Sequence, residues 1–376
     1  MTGPPPRDWW QRTVVRPPLR VVFNGRFLTQ VPTGVQRYAR ESLRAFDRLL
    51  DEEPRLRAQL VCMLAVPRGA APIELAHIRV RVLPLLSGHL WEQLALPWCA
   101  RGDYLVNFNY SAPVVKRHQL ITLHDASVAA IPHGYSWRYR LVHETLVRVL
   151  RHRVHTVMTV SRFSSGEIAQ RYGVHHALVG MEGWEHSVAA GDGAATLRKY
   201  RLEANRYVLA VGSDKPHKNF EVLDRALALL NGFPFTVAIA GATDLAIFRH
   251  ARPSQHTRLL GYVSDVELAD LYRHAAWFVF PSTYEGFGLP ALEAMGNGCP
   301  VIAARAASIP EVCGDAALYF DPHNAAALAA LLERVAREPE LRTSLRAKAR
   351  ARLARYSWAD NARILARHLL RVPARP

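Results

Sequence analysis

The sequence predicts an α/β protein with two doubly wound, parallel-sheet domains. Short apolar runs alternate with amphipathic stretches along the chain, and a small, polar segment interrupts this alternation at residues 186–196. Such alternation is typical of a parallel sheet whose two faces are covered by helices. The length of 376 residues agrees with this prediction, because it exceeds what one ordinary core supports and suits two domains.

The first alternation begins with an apolar run at 19–25, followed by a loop and a helical pattern at 35–50. Further strands of the first domain are predicted at 59–66, 104–108, 119–125 and 156–161, and a basic amphipathic helix at 137–154. Strands of the second domain are predicted at 207–213, 235–242, 277–282, 300–304 and 317–320. We therefore expect a flexible tail at 1–18, a first domain at 19–188 and a second domain at 197–357.

Composition narrows the classes of partner. The net charge of +16 suggests a polyanion, which could be nucleic acid, an anionic membrane surface or a phosphorylated small molecule. The basic residues are spread along the chain rather than clustered on a recognised module, so no nucleic acid is expected. The four cysteines form no CxxC pair and predict buried free thiols in a reducing compartment.

The sequence offers no targeting signal. Its first residues lack the apolar core of a signal peptide, and no uncharged apolar run approaches the roughly 20 residues of a membrane-spanning helix. A cytoplasmic location is therefore expected, with peripheral contact at the inner face of the cell membrane still open.

The stretch STYEGFGLPALEAMGNG (282–298) places Glu285 and Glu293 on either side of a glycine-rich turn that opens a helix. Gly286 and Gly288 let the backbone approach a ligand closely, and Pro290 suits the first turn of a helix. N–H groups at a helix start favour phosphate, whereas carboxylates need hydroxyl donors. The stretch therefore suits a nucleotide sugar. The alternative is a plain turn in which Glu293 is an ordinary first-turn carboxylate.

A second loop follows the predicted strand that ends near Gly212. It holds Lys215, His217 and Lys218, and a helix is predicted from about Asn219. Cations at a helix N-terminus oppose the helix dipole unless a diphosphate lies between them, so the loop indicates a diphosphate site. A solvated basic loop is the alternative.

Two further segments follow strands of the first domain. In one, Gly34 precedes a helix whose first turn contains Arg37; in the other, His124 and Asp125 end a strand. Each is a weak signal alone, since a histidine at a strand end is more often a structural hydrogen-bonding group. The sequence contains no Asp-x-Asp element suited to Mg²⁺, so no metal site is predicted.

Together the four segments resemble the retaining glycosyltransferases of family 4, which have the GT-B fold of two Rossmann-like domains facing across a cleft. The resemblance extends over about residues 20–370. Its strongest element is the E-x7-E motif, here E285GFGLPALE293. HKNFEVL (217–223) and TVSRFSSGEI (159–168) also match, and YSWADNARILARHL (356–369) resembles the closing helix, at 358–372, that crosses back to the first domain.

The resemblance implies a role for each site residue. Glu285 would lie at the reaction centre against the donor sugar, with His124 near the sugar. Lys218 would bind the diphosphate and Glu293 the ribose hydroxyls. Backbone contacts to the donor would come from Gly286, Phe287, Gly288 and Leu289, and the base would meet the backbone around Val263. The loop of Gly34 and Arg37 would face phosphate and acceptor, and Ser213, Lys215 and Asn219 would complete the donor site.

Three features depart from the family pattern. Ser213 stands where many members carry an arginine, so Lys215 or His217 would have to supply that cation. The N-terminal loop has one glycine where many members have two, and EGWEHS (182–187) replaces a more usual Asn-Gly-Val segment.

Within the family the loops look most like bacterial polysaccharide mannosyltransferases. The implied reaction moves mannose from GDP-mannose to a hydroxyl of a glycan or polyprenyl-diphosphate-linked acceptor, in exopolysaccharide, capsule or O-antigen synthesis. No cofactor is implied, because the nucleotide sugar is a co-substrate and no metal is expected. The alternatives are a UDP-sugar donor, a UDP-sugar hydrolysing epimerase and, less favoured, a nucleic-acid-binding protein.

Overall fold

The computed structural model describes residues 17–188, 191–230, 232–241 and 257–373. The predicted flexible tail at 1–18 lies outside these residues except for its last two positions. Contacts divide the chain into two compact units. The first comprises the described residues of Met1–Ala129, Ser136–Glu182 and Trp358–Pro376, and the second those of Ala130–Tyr135 and Gly183–Ser357.

Seven parallel strands form the sheet of the first unit within the described residues. They are β1 (Leu19–Asn24), β2 (Leu60–Pro67), β3 (Arg79–Leu83), β4 (Tyr104–Asn107), β5 (Gln119–Thr122), β6 (Thr156–Thr159) and β7 (Leu178–Val179). Their order across the sheet is β3-β2-β1-β4-β5-β6-β7. The chain therefore reverses its direction across the sheet between β1 and β4, which are neighbours.

The described part of the second unit forms a sheet of six parallel strands. They are β8 (Tyr207–Val211), β9 (Thr236–Ala240), β10 (Thr257–Gly261), β11 (Trp277–Phe280), β12 (Val301–Ala304) and β13 (Ala317–Phe320). The order β10-β9-β8-β11-β12-β13 puts the reversal between β8 and β11. In such sheets, ligands bind beyond the carboxyl ends of the strands at the reversal point.

Helices connect the strands. They are α1 (Gly34–Glu52), α2 (Pro54–Arg57), α3 (Gly88–Leu90), α4 (Leu96–Cys99), α5 (Ser127–Ala130), α6 (Trp137–Leu150), α7 (Arg162–Tyr172), α8 (Gly193–Tyr200), α9 (Phe220–Ala228), α10 (Asp265–His274), α11 (Leu289–Gly296), α12 (Ile309–Cys313), α13 (Ala325–Arg337), α14 (Leu341–Leu353) and α15 (Trp358–Arg371). A π-helical turn, Trp91–Ala95, joins α3 to α4. No helix in the described ranges is both long enough and apolar enough to cross a bilayer.

Local sequence explains several helix ends. Ser161 and Asp192 cap α7 and α8 by accepting backbone N–H groups through their side chains. Ser264 and Glu267 form a reciprocal capping box at α10. Gly173 ends α7 in the left-handed conformation at φ +67°, which glycine adopts without strain.

The C-terminal helix α15 belongs to the first unit, where it packs on α1. Asn361 is buried and fixes its position, donating to Ser42 Oγ at 2.9 Å and accepting from the backbone N–H of Met181 at 3.3 Å. At the far end of the helix, His368 Nε2 lies 2.9 Å from the hydroxyl of Tyr104. Polar groups therefore hold both ends of α15 in register with this unit.

The boundary between the units differs from the expected linker at 186–196. The change of unit falls between Glu182 and Gly183, because the residues that follow pack against α11. Asn297 of α11 donates to the carbonyl of Ser187 at 3.1 Å, and a Cβ on Gly296 would lie 2.4 Å from the ring of Trp184. The expected linker therefore already belongs to the second unit, and Gly193 opens α8.

The sequence missed β3, β7 and β10. All three lie at sheet edges, and β3 exposes Arg79, Val80, Arg81 and Val82. An edge strand buries less of its surface than a central one, so it lacks the continuous apolar run that identified the others. The cysteines also differ slightly from expectation, because Cys99 is only half-buried, whereas Cys62, Cys299 and Cys313 are buried.

The burial of His368 predicts acid lability of the first unit. Burial, reinforced by the positive charges of His155 and Arg371, lowers the pKa of His368 from 6.5 to about 4. The unfolded chain therefore takes up this proton first, and the free energy of unfolding should fall as pH drops from about 6.5 to 4, by at most about 2 kcal/mol near pH 5. Urea denaturation across this pH range measures the loss.

In that experiment His368→Gln should reduce the pH dependence, since glutamine can still meet Tyr104 but takes up no proton. His176→Gln is the matched control, because His176 is exposed. Equal pH slopes for wild type and His368→Gln would contradict the assignment.

Candidate active site

The loops that follow β8 and β11 meet at the strand reversal of the second unit. The first loop carries Ser213 to Asn219 and the second carries Tyr284 to Gly288. A backbone hydrogen bond of 2.9 Å from Thr283 N–H to the carbonyl of His217 joins the two loops. The sheet order thus brings together two segments that lie far apart in the sequence.

Lys218 and Glu285 form an ion pair where these loops meet. Lys218 Nζ lies 2.7 Å from Glu285 Oε1, and the two side chains are only 16% and 14% exposed. The lysine stem passes over Gly212, where an added Cβ would lie 3.2 Å from Lys218 Cγ and Cδ. The pair thus presents a cation and a carboxylate side by side, the groups that a phosphate and a sugar hydroxyl respectively need.

The loop from Glu285 to Gly288 is held by its backbone. Ser308 Oγ lies 2.8 Å from the carbonyl of Glu285 and 2.7 Å from that of Phe287, so the hydroxyl can donate to either. The ring of Phe287 packs edge-on against Tyr356 with centroids 5.6 Å apart. Gly288 has φ +107° and precedes α11, which starts at Leu289. Gly286 through Leu289 are all buried, so this backbone is preorganised.

Glu293 occupies a different environment from Glu285. It lies within α11 and is 5% exposed. His186 Nε2 is 2.9 Å from its Oε1, and the hydroxyl of Tyr272 is 3.4 Å from its Oε2. A carboxylate has about four hydrogen-bond acceptor positions. Glu293 can therefore accept further hydrogen bonds from hydroxyl groups while these contacts persist.

The remaining predicted donor residues of this unit differ in placement. Asn219 is left-handed at φ +55°, and its amide donates to the carbonyls of Pro281 and Pro322, which makes it a brace between loops. Ser213 and Lys215 are exposed. Lys215 Nζ lies 5.8 Å above the ring of Tyr135. Val263 follows the edge strand β10, two strands from β8, and is half-buried.

In the first unit, Gly34 and Arg37 lie at the start of α1, which follows β1 at the reversal point. Gly34 is exposed, and a Cβ there would meet no atom within 4 Å. The turn is closed by the capping box of Thr33 and Gln36. Arg37 is half-buried in the first turn, which has no acidic residue.

His124 lies deeper than its predicted role suggested. It is 5% exposed, its ring packs edge-on against Tyr38 with centroids 4.8 Å apart, and its Nε2 lies 2.9 Å from the carbonyl of Phe108. That hydrogen bond requires a proton on Nε2 and leaves Nδ1 as an acceptor. Burial lowers the pKa of His124 despite the carbonyl of Phe108 and the charge of Asp125, so the ring is neutral at pH 7.

The sequence did not predict a buried polar cluster at the strand reversal of the first unit. Glu92, on the π-helical turn, is fully buried and contacts Arg26 at 3.1 Å, Asn24 at 2.9 Å and Ser111 at 3.0 Å. Burial alone would raise the pKa of Glu92, but hydrogen bonds from His89, Asn24 and Ser111 and the charge of Arg26 lower it. The cluster fixes the loop between β1 and α1; the only sequence signal was a lone glutamate in an apolar run.

The described residues contain no group of three or more histidines, cysteines or acidic residues placed to hold a metal ion.

Comparison with known proteins identifies the family. Residues 196–352 match the family model described as glycosyl transferases group 1. The chain is also 31% identical over 306 residues to the O-antigen chain mannosyltransferase B of Escherichia coli, a match that covers 76% of this chain and 80% of that protein. The chain is a group 1 glycosyl transferase.

Solved structures show the fold of this glycosyltransferase. Sucrose-phosphate synthase from Thermosynechococcus elongatus is similar, with a TM-score of 0.73, 17% identity and coverage of 93% of this chain and 98% of that one. The Anabaena protein HepE in complex with UDP-glucose has a TM-score of 0.67 and 18% identity, with coverage of 93% and 99%. The predicted fold class of two Rossmann-like domains is confirmed. The family match contains Lys218, Glu285 and Glu293.

The backbone at Gly288 of the glycosyltransferase gives a stability prediction. An added Cβ would find room there, since its nearest contact is 3.6 Å from Phe280. The cost of Gly288→Ala is therefore backbone strain at φ +107°, about 1–3 kcal/mol. Thermal or urea denaturation measures it. Gly34→Ala is the control and should leave stability unchanged or slightly higher, because it adds a methyl group in open space. Equal effects would contradict this account.

Proposed function

We propose that this glycosyltransferase transfers mannose from GDP-mannose to an acceptor hydroxyl with retention of configuration, as expected of family 4. The observation that carries the proposal is the pairing of Lys218 with Glu285 at the strand reversal of the second unit. The name of the similar Escherichia coli mannosyltransferase supports mannose as the transferred sugar. In this proposal the second unit binds the donor and the first unit binds the acceptor.

Donor binding replaces the ion pair. The diphosphate pairs with Lys218, the exposed Lys215 acts as a second cation, and a mannose hydroxyl donates to Glu285. An unpaired charge in a largely buried position is costly, and the bound donor gives both Lys218 and Glu285 a new partner. The N–H groups at the start of α11 face the phosphate, and Glu293 accepts the ribose hydroxyls.

Stabilisation of the leaving group, GDP, accelerates the transfer reaction. The bond between mannose C1 and the phosphate oxygen breaks, and negative charge grows on GDP. In this proposal Lys218 and the backbone N–H groups of Gly286 to Leu289 stabilise that charge. We propose that these groups suffice without a metal ion.

Retention follows if the acceptor attacks the face that GDP leaves. The new bond joins the acceptor oxygen to C1, and the acceptor proton passes to the departing phosphate oxygen. Glu285 positions the sugar in this scheme and forms no covalent bond.

The acceptor in this proposal is a lipid-linked glycan, such as a polyprenyl-diphosphate-linked chain of a bacterial surface polysaccharide. The enzyme then works in the cytoplasm, in peripheral contact with the inner face of the membrane. The lipid anchor of the acceptor requires that contact, because the reacting hydroxyl stays close to the bilayer surface.

Glu285→Gln tests the catalytic assignment. Removing the charge while keeping the size of the side chain should lower kcat about 100-fold or more, because contacts that strengthen in the transition state are lost. The assay follows GDP release from GDP-mannose with a mannosyl acceptor on a short lipid. Glu333→Gln is the control, since Glu333 is half exposed and also pairs with an arginine. Near wild-type turnover for Glu285→Gln would refute the role of Glu285.

Lys218→Ala tests the diphosphate contact. Loss of a charged hydrogen bond should weaken GDP binding about 10- to 100-fold, while guanosine, which has no phosphate, should change less than about threefold. Calorimetric titration of both ligands measures the difference. Lys348→Ala, at an exposed lysine near Asp315, should change neither. Equal losses for GDP and guanosine would argue against a phosphate contact.

A further inference from the structure

The first unit exposes large apolar side chains on two helical segments and on two loops. The first segment runs from α3 through the π-helical turn to α4, and the second is α6; the loops are the turn before α3 and the connection between β4 and β5. Trp98 is 74% exposed and Leu141 61% exposed. We call the whole set the apolar band. Its members are Leu85, Leu86, Leu90, Leu94, Trp98, Val115, Trp137, Tyr139, Leu141 and Val142. Soluble proteins rarely expose so many large apolar residues together unless the surface binds something.

The helical segments of the apolar band cover the same face of the sheet. Trp91 and Leu96 of the first segment pack on Val22 and Leu105, whereas Val147 and Leu150 of α6 pack on Ile121 and Val157. The strand register pairs Val22 with Leu105, Asn107 with Ile121 and Ile121 with Val157. Since residues two apart in a strand point to the same face, these four strand residues share one face.

The loop between β4 and β5 connects the two segments. Gln93 of the π-helical turn donates to the carbonyl of Ala112 at 2.9 Å and accepts the N–H of Val114 at 3.0 Å. On the other side, the ring of Tyr110 lies 5.6 Å from that of His143 on α6. The loop that carries the exposed Val115 therefore bridges the two helical segments on one layer of this unit.

The exposed charges along the first segment of the apolar band are basic. Between residues 79 and 117 the exposed charged side chains are Arg79, Arg81, Arg101 and Arg117. The acidic residues of that stretch, Glu92 and Asp103, are buried.

The exposed side of α6 has the same character. It carries Arg138 and Arg148 beside Leu141 and Val142. Its acidic residue, Glu144, is only partly exposed and pairs with Arg148 at 3.1 Å.

We propose that the apolar band docks this chain on an anionic membrane surface, with Leu94, Trp98 and Leu141 in the headgroup region and the arginines on lipid phosphates. A second copy of the chain is a poorer fit, because a twofold contact would place arginine-rich surfaces against each other. The proposal deepens the proposed function, since it names the surface that would bring the enzyme to a lipid-linked acceptor.

The test is sedimentation of the full chain with vesicles of phosphatidylcholine and phosphatidylglycerol, compared with phosphatidylcholine alone. The wild type should bind the anionic vesicles more tightly, and added salt should weaken that binding. The triple variant Leu94→Ser/Trp98→Ser/Leu141→Ser should lower the partition coefficient at least about tenfold, because it removes buried apolar area. Arg101→Glu/Arg138→Glu should do the same by reversing charge, and it keeps the test decisive if the triple variant misfolds.

The matched controls lie on the second unit. Leu229→Ser and Arg355→Glu replace exposed residues of the same types and should leave vesicle binding unchanged. Absence of wild-type binding, or equal binding by all variants, would overturn the proposal. So would sedimentation velocity showing wild-type dimers that the triple variant lacks. GDP binding and transfer to a short-chain acceptor should persist in the band variants, so failure of the docking surface is distinguishable from failure of the proposed reaction.

Discussion

The ion pair of Lys218 and Glu285 depends on the topology of the second sheet and in turn defines the candidate site. Its partners stand 67 positions apart and meet because β8 and β11 are neighbours at the strand reversal. The buried glycine loop, the brace of Asn219 and the hydroxyl of Ser308 hold the surrounding backbone in place. A lysine and a carboxylate that neutralise each other keep two charges stable in a largely buried position.

The central strands were predictable from sequence, because strands buried on both faces read as continuous apolar runs. β4, β5, β8 and β11 all begin within two residues of their predicted positions. The edge strands β3 and β10 were not predicted from the sequence, because Arg79, Arg81 and Arg258 interrupt their apolar pattern. The domain boundary was misplaced because small, polar composition predicted a linker, whereas Trp184 and Ser187 pack on α11 through contacts that depend on tertiary structure.

The candidate site was partly predictable. Motif spacing identified Glu285, Glu293 and Lys218 as functional candidates but could not show that Lys218 pairs with Glu285, or that His186 and Tyr272 hold Glu293. His186 lay in a segment noted only as a departure from the family pattern. The Arg26 and Glu92 cluster was also missed, because neither residue belongs to a motif and their partnership arises from strand order. Pairwise contacts of this kind follow from the fold rather than from local sequence.

The most direct test of a nucleoside-diphosphate-sugar site at the strand reversal is a thermal-shift titration of the intact chain. The ligands are GDP, UDP, ADP, GDP-mannose and UDP-glucose. We expect saturable stabilisation by GDP and GDP-mannose, reaching about 2.7 kcal/mol at roughly 100 times the dissociation constant. Stabilisation by the uridine ligands alone would contradict the GDP-mannose assignment while keeping the site. Absence of stabilisation by every nucleotide would contradict the central claim that Lys218 and Glu285 mark a donor site.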